Sequence, residues 1–190
     1  MAQNSQAHKE SIKQQIKEAY GKVVYTYTTH LKDAALKHGK SAKIKIAIII
    51  LSAVSTCGLL GIILQWAPTV LAAVTAAITL ANVILSSYSK AANLEGQELQ
   101  HINTSNKLWK IREKYLDLLT DFDTLSDEKI ILLRDELTEK TADIYNAAPL
   151  TSKKAYNLAQ TALKNEEEQF FTQQELNLML PDHLRTMVNK

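Results

Sequence analysis

The side chains able to do chemistry are few, and they are scattered. His8, His30, His38, His101 and His183 show neither an HExxH motif nor any paired spacing that would hold a metal. Cys57 is the only cysteine, which excludes a disulfide framework, a zinc ribbon and a CxxC redox pair; it reads as a small packing residue. No GxSxG, P-loop or GxGxxG occurs. Glu113, Asp117 and Asp121, spaced by four, fit a solvated or salt-bridged helix face, and Glu166 to Glu168 read the same way. His101 falls on a polar stretch of a helical seam, where a hydrogen bond between subunits is expected. The expectation is therefore a protein without enzymatic activity, cofactor or metal.

A different chemistry is suggested by Thr75, Thr79, Asn82 and Ser86, which recur at steps of four, three and four and so share one helix face. They could line a water-filled pore made by several subunits. They could equally hydrogen-bond between helices, and Thr and Ser can also bond to their own backbone. Asn82 keeps the first reading open, because an amide in hydrocarbon needs a partner or water.

The element carrying this stripe is unusual. Lys45 and Lys90 are consecutive charged residues, so Ile46 to Ser89 is a run of 44 residues without a formal charge. A helix needs about 20 apolar residues to cross a bilayer core. The run is interrupted at Gln65-Trp66-Ala67-Pro68-Thr69, which predicts two spans, 46–65 and 68–89, joined by a tight turn. Trp66 is expected at one lipid–water boundary and Tyr88 at the other. The alternative, a buried hairpin in a soluble bundle, is disfavoured because no charge marks any face of either helix. The run is also too long, and begins too far into the chain, for a cleaved signal peptide. Small residues recur every four positions as Ala53, Cys57 and Gly61 and as Ala73, Ala77 and Ala81, a spacing that lets helices in lipid approach closely.

Lys32, Lys37, Lys40, Lys43 and Lys45 precede the first span, Lys90 follows the second, and the turn is uncharged. The positive-inside rule then places both termini in the cytoplasm. The chain thus divides into an N-terminal amphipathic helix within 1–45, the membrane hairpin 46–89 and a cytoplasmic helical region 90–190. In the first part, Ile12, Ile16, Ala19, Val23, Tyr27, Leu31 and Ala34 form one stripe of a helix over 8–38. Nine lysines against three acids give it a net charge of +6, whereas 90–190 has 13 basic and 17 acidic residues, net −4. Such asymmetry suits an anionic leaflet, a polyanionic ligand or the acidic half of the same molecule.

Five glycines and three prolines among 190 residues argue against a loop-rich β protein. Beyond the second span the helix is expected to continue, since no Pro and only Gly96 fall between Leu71 and Leu125. Leu108, Ile111, Tyr115, Leu118, Phe122 and Leu125 step by three and four as a coiled-coil seam. A second stripe, Trp109, Arg112, Leu116 and Leu119, predicts a further neighbour and hence a bundle or oligomer. Ser126 with Asp127 and Glu128 opens a helix carrying Ile130, Leu133, Leu137 and Ile144. Thr151 or Ser152 opens another with Tyr156, Ala159 and Leu163, and Thr172 with Glu175 forms a capping box before Pro181. No strand is expected, and the fold class is all-α.

The hairpin followed by Trp109-Lys110-Ile111-Arg112-Glu113-Lys114-Tyr115 and Leu118-Leu119-Thr120-Asp121 resembles the bacterial SLATT family. Arg134-Asp135, Ala148-Pro149 through Ala155-Tyr156, and Leu180-Pro181 with Leu184-Arg185 extend the resemblance over roughly residues 10 to 187. Members are two-span effectors found beside SMODS nucleotidyltransferases and SLOG nucleotide-sensing domains. The resemblance implies a non-enzymatic membrane effector of an anti-phage system, acting as an oligomeric pore or channel in the inner membrane under control of a nucleotide signal. It supplies no ligand-binding residues. By pattern alone, Lys9, Lys13, Lys17, Arg112, Arg134, Lys153, Lys154 and Arg185 are candidates for phosphate contacts with a nucleotide or short oligonucleotide. The expected partners are membrane lipid, further copies of the chain (a tetramer or similar) and a nucleotidyltransferase. The rival expectation is a non-conducting anchor that recruits such an enzyme.

Overall fold

Apolar residues at helical spacing run from Ile12 to Ala34, and from Ile46 they cover every face, with no proline before Pro68. Nothing in that stretch stops a helix. The computed structural model, which describes residues 2–64 and 68–185, accordingly shows a single helix α1, Ala2–Ile63, of 62 residues and about 93 Å in length. The expected amphipathic helix and first span are two successive lengths of this one rod. The turn residues 65–67, and with them the interfacial role expected of Trp66, lie outside the described residues.

Helix α2, Pro68–Ala92, returns antiparallel along α1. The continuation beyond it is present with one interruption. Asn93 takes a left-handed conformation, φ 43° and ψ 47°, before α3 runs from Leu94 to Thr120. Asparagine tolerates this region because its short amide can bond locally: Oδ1 accepts the Gly96 N–H at 3.3 Å and so caps α3. The Gln97 amide donates to the Ala92 carbonyl at 2.8 Å, covering one of the carbonyls that end α2.

Three further helices follow. Ser126 caps α4, Asp127–Ala147, with Asp127 and Glu128 in its first turn. Ser152 caps α5, Lys153–Lys164. The capping box of Thr172 and Glu175 opens α6, Gln173–Met179, and a 3-10 turn spans Asp182–Leu184. Among the described residues there is no strand.

The core lies at one end of the rod. Ile12, Ile16 and Val23 of α1 meet the seam of α3, from Leu108 to Phe122, and Ile130 and Leu137 of α4 close over it. Leu125, Leu133 and Ile144 pack on its margin. Each large side chain removed from water there contributes roughly 1.5–3 kcal/mol. Helix α5 packs on α1 through Ala155, Ala159 and Ala162. This corrects the expected face: Tyr156 is half exposed and stacks against Tyr25, ring centroids 5.2 Å apart, and Leu163 is only half-buried.

At the other end the apolar side chains are bare. Ile49, Ile63, Leu64, Val70, Leu80 and Ile84 are each more than 60% exposed, so the hairpin is not the core of a soluble bundle. It projects from the bundle as two apolar rods, each long enough to cross a membrane.

Candidate functional site

The antiparallel register of α1 and α2 determines what the polar stripe touches. Asn82 Nδ2 donates to Ser52 Oγ at 2.8 Å. Thr79 Oγ1 lies 3.3 Å from Ser55 Oγ and 2.8 Å from the Thr75 carbonyl of its own helix. Thr75 is buried, its hydroxyl pressed over Gly58 where any Cβ would collide. The stripe thus follows the seam between the two spans. It stands at the seam's edge, since Ser52, Thr79 and Ser86 remain exposed. Asn82 Oδ1 is buried and accepts no hydrogen bond.

The small residues divide in the same way. Gly61 sits beneath the Leu71 side chain in the seam. Ala53, Cys57, Ala73, Ala77 and Ala81 face outward on the single chain. Sequence reasoning passed over Gly58, Ser52 and Ser55. Their signal was the three-residue step between Ser52, Ser55, Gly58 and Gly61, which only the antiparallel register distinguishes from the four-residue step beside it.

Between core and hairpin lies a polar layer. His30 and His101, 2% exposed each, meet at 2.9 Å through their Nδ1 atoms. This corrects the expected intersubunit role of His101: its partner is in the same chain, because α1 and α3 bring 30 and 101 level. Burial first, then the neighbouring His101, pushes His30 down to about 4, against the pull of Asp33. Burial also lowers His101. Both rings are therefore neutral near pH 7, one Nδ1 donating and the other accepting. Asp33, 1% exposed, accepts the Ser152 N–H at 2.7 Å and its hydroxyl at 2.8 Å, fastening the start of α5 to α1. Thr28 and Thr29 turn their hydroxyls back onto their own helix, to the carbonyls of Val24 and Tyr25.

The eight basic candidates do not converge on one point. Lys9 lies 3.6 Å from Asp127, Lys13 lies 3.3 Å from Asp123, and both ammonium groups stand over the Phe122 ring. Lys9, Lys13, Phe122 and Asp123, with Gln6 and Glu10, line an open cleft of about 530 Å³. Arg112 pairs with Glu113 at 2.6 Å while its Nε is buried without a partner. Arg134 pairs with Asp135 at 2.7 Å and reaches Gln15 at 3.3 Å. Lys17, Lys153 and Lys154 form no ion pair among the described residues. Arg185 donates to the carbonyls of Leu180 and Leu178 in the tail. The same residues show no group of three or more His, Cys, Asp or Glu placed to hold a metal ion.

No curated protein and no solved structure matches the chain. A family model does, over residues 12–175, from the first core residue of α1 into α6. That span takes in both bare apolar rods, the seam between them and the whole bundle. An all-α protein with two membrane-spanning helices and this match belongs to the SMODS and SLOG-associating 2TM effector domain family 4.

Proposed function

We propose that several copies of this chain assemble in the bacterial inner membrane, termini in the cytoplasm, as the pore or channel of an anti-phage system. The trigger in this reading is a nucleotide or short oligonucleotide bound by the cytoplasmic helices, and the outcome is disruption of the membrane of the infected cell. The observation that supports it best is the polar seam at the edge of an otherwise apolar, charge-free hairpin. There an amide oxygen, Asn82 Oδ1, is buried with nothing to accept from, a costly state that is relieved when the seam opens to a water column. The wall is then formed by Thr79, Asn82 and Ser86 with Ser52 of α1, and Thr75 packs the spans together.

Assembly draws on surfaces that one chain leaves open. Trp109 and Leu116 of the second α3 stripe are more than 40% exposed on either side of Arg112 and its unpartnered Nε. The outward-facing Ala53, Cys57, Ala73, Ala77 and Ala81 suit close helix packing between neighbouring hairpins. For the trigger, Lys9 and Lys13 with Lys17 one turn on are favoured among the basic candidates. Their cleft combines two cations with an aromatic ring, features suited to a phosphorylated base, beside the carboxylates of Glu10 and Asp123 that a phosphate must displace. Arg112, Arg134, Lys153, Lys154 and Arg185 are secondary candidates.

The test is ion flux from liposomes holding the purified chain, with and without nucleotide. Asn82→Leu is expected to reduce flux severalfold while the oligomer, sized by light scattering, stays intact; unchanged flux removes the stripe from the conduit. The hydrogen bond from Asn82 to Ser52 favours a second reading, a non-conducting anchor for a partner nucleotidyltransferase, because that bond holds the spans together without water. Membrane-potential imaging separates the two: a pore freed of control depolarises the cell, and an anchor leaves the potential unchanged.

A further inference from the structure

Where the charge-free run ends on both strands of the hairpin, a cleft of about 350 Å³ opens between α1 and the junction of α2 with α3. Lys45 of α1 and Lys90 of α2 stand in its wall, with the hydroxyls of Ser41, Ser86 and Ser89 and the side chain of Asn93. Ile48 and Leu94 supply apolar surface, and Glu95 is the one acid in the lining. Glu95 pairs with Lys45 and accepts from Ser41. Its carboxyl is held below the usual range, first by the hydrogen bond from Lys45 and then by that lysine's charge. Lys90 forms no ion pair among the described residues.

From these observations we propose that the cleft binds the headgroup of one anionic phospholipid per chain, in the leaflet next to the helical bundle. Two ammonium groups and one carboxylate leave the cleft a single positive charge, the complement of one phosphodiester. The hydroxyls of Ser86 and Ser89 are donors suited to its free oxygens. The depth is right: Lys45 and Lys90 immediately flank the uncharged segment, so they lie at headgroup level when that segment lies in hydrocarbon. Ile48, one turn further in, starts the apolar surface against which acyl chains run. A free phosphate would have no use for that surface.

The cleft also lies at the break between α2 and α3, with left-handed Asn93 in its wall. A lipid held there touches both sides of the only interruption between the second span and the seam of α3. The proposal depends on the membrane hairpin and not on conduction, so it stands or falls separately from the pore.

The experiment is native mass spectrometry of the full chain in maltoside micelles titrated with dioleoyl phosphatidylglycerol or dioleoyl phosphatidylcholine. The expected result is one phosphatidylglycerol per chain retained at energies that strip phosphatidylcholine. At about 1 kcal/mol per lysine, Lys90→Gln should weaken phosphatidylglycerol binding about fivefold, and the double change with Lys45→Gln about thirtyfold. Lys43→Gln, outside the cleft, should leave it unchanged. Inorganic phosphate in millimolar excess should not displace the lipid; displacement would assign the cleft to soluble anions and overturn the proposal. Equal retention of both lipids, or equal weakening by Lys43→Gln, would also overturn it. Lys90→Gln breaks no ion pair and leaves the fold intact, so that variant alone decides the matter if the double variant is unstable; undiminished binding in it rejects the site.

Discussion

At the scale of residues, His30 and His101 share one hydrogen bond whose accepting ring must be neutral, and the burial of both rings ties the fold to pH. The native pair resists protonation, His30 down to about 4 against an ordinary 6.5, whereas the unfolded chain takes up protons as soon as pH falls below the ordinary value. The unfolded state therefore binds more protons between those limits, and stability rises with pH there. It is complete above about pH 6.5 and is lost as pH falls toward 4, by an amount on the order of 2 kcal/mol. The thermal midpoint in detergent should drop over that window. Replacing both rings, His30→Leu with His101→Leu, should flatten the slope; a slope that persists would place the responsible protons elsewhere. Gly58 is the second decisive residue, since a side chain there meets the buried Thr75 hydroxyl. Gly58→Leu should open the hairpin at a cost of about 1–3 kcal/mol, seen as slower migration in a dodecyl sulfate gel and a lower thermal midpoint. Ala53→Leu, on the outward face, should spare the hairpin and weaken only assembly between chains.

At the scale of elements, Asp33 is where α5 is attached. It is buried, and it accepts two hydrogen bonds from Ser152, which is both the cap of α5 and the end of the Pro149 linker. Asp33→Ala removes the buried carboxylate that accepts from the Ser152 N–H and hydroxyl, and should release α5 at a cost of roughly 1.5–3 kcal/mol. Faster hydrogen exchange over 153–164, with α3 amides unchanged, would be the sign; uniform protection would mean that the alanine face holds α5 by itself. The elements were legible in the sequence where a pattern has one solution. The uncharged run, the α3 seam and the caps at Ser126 and Thr172 each admit a single structure. The sequence leaves Thr151 and Ser152 as equal candidates, and the bond to Asp33 selects Ser152. Three features were not legible. The continuity of α1 through residues 39–45 is hidden because the change from a striped to an all-round apolar surface resembles a boundary. The bend at Asn93 depends on one residue's tolerance of positive φ, which composition does not reveal. Helix α5 has both an aromatic face and an alanine face, and the close approach of α1 selects the smaller. In the candidate site, the types and spacing of Thr79, Asn82 and Ser86 were legible, but their partners Ser52 and Ser55 belong to the register of two helices and to neither sequence alone.

At the scale of the whole molecule, the opposite charges of the two halves are partly turned on each other. Lys9 and Lys13 face Asp127 and Asp123, Lys32 pairs with Glu168 at 2.6 Å, and Lys45 pairs with Glu95. Lys9 and Lys13 are already paired with carboxylates of the second half, so an anionic ligand on the proposed Lys9–Lys13 face must displace them. In the proposed reading that competition would give a trigger its differential affinity, with bound phosphate favouring a state in which the α3–α4 loop has let go of α1. Because α1 is one helix from this cleft to the end of the first span, release at its start would, in that reading, act on the span itself. Two opposite outcomes follow for a short oligonucleotide. Lys9→Glu with Lys13→Glu and Lys17→Glu should abolish binding, with little change in stability, since exposed pairs contribute only about 0–1 kcal/mol each. Asp123→Asn should do the reverse, removing the competitor and tightening binding. Both are read from titrations at several salt concentrations, where removing one lysine–phosphate pair flattens the slope of log K against log salt by roughly 0.7 for a single strand. If Asp123→Asn leaves affinity unchanged while the lysine variant binds normally, the ligand sits elsewhere, and the pairing of Lys13 with Asp123 is only the clasp that closes the bundle.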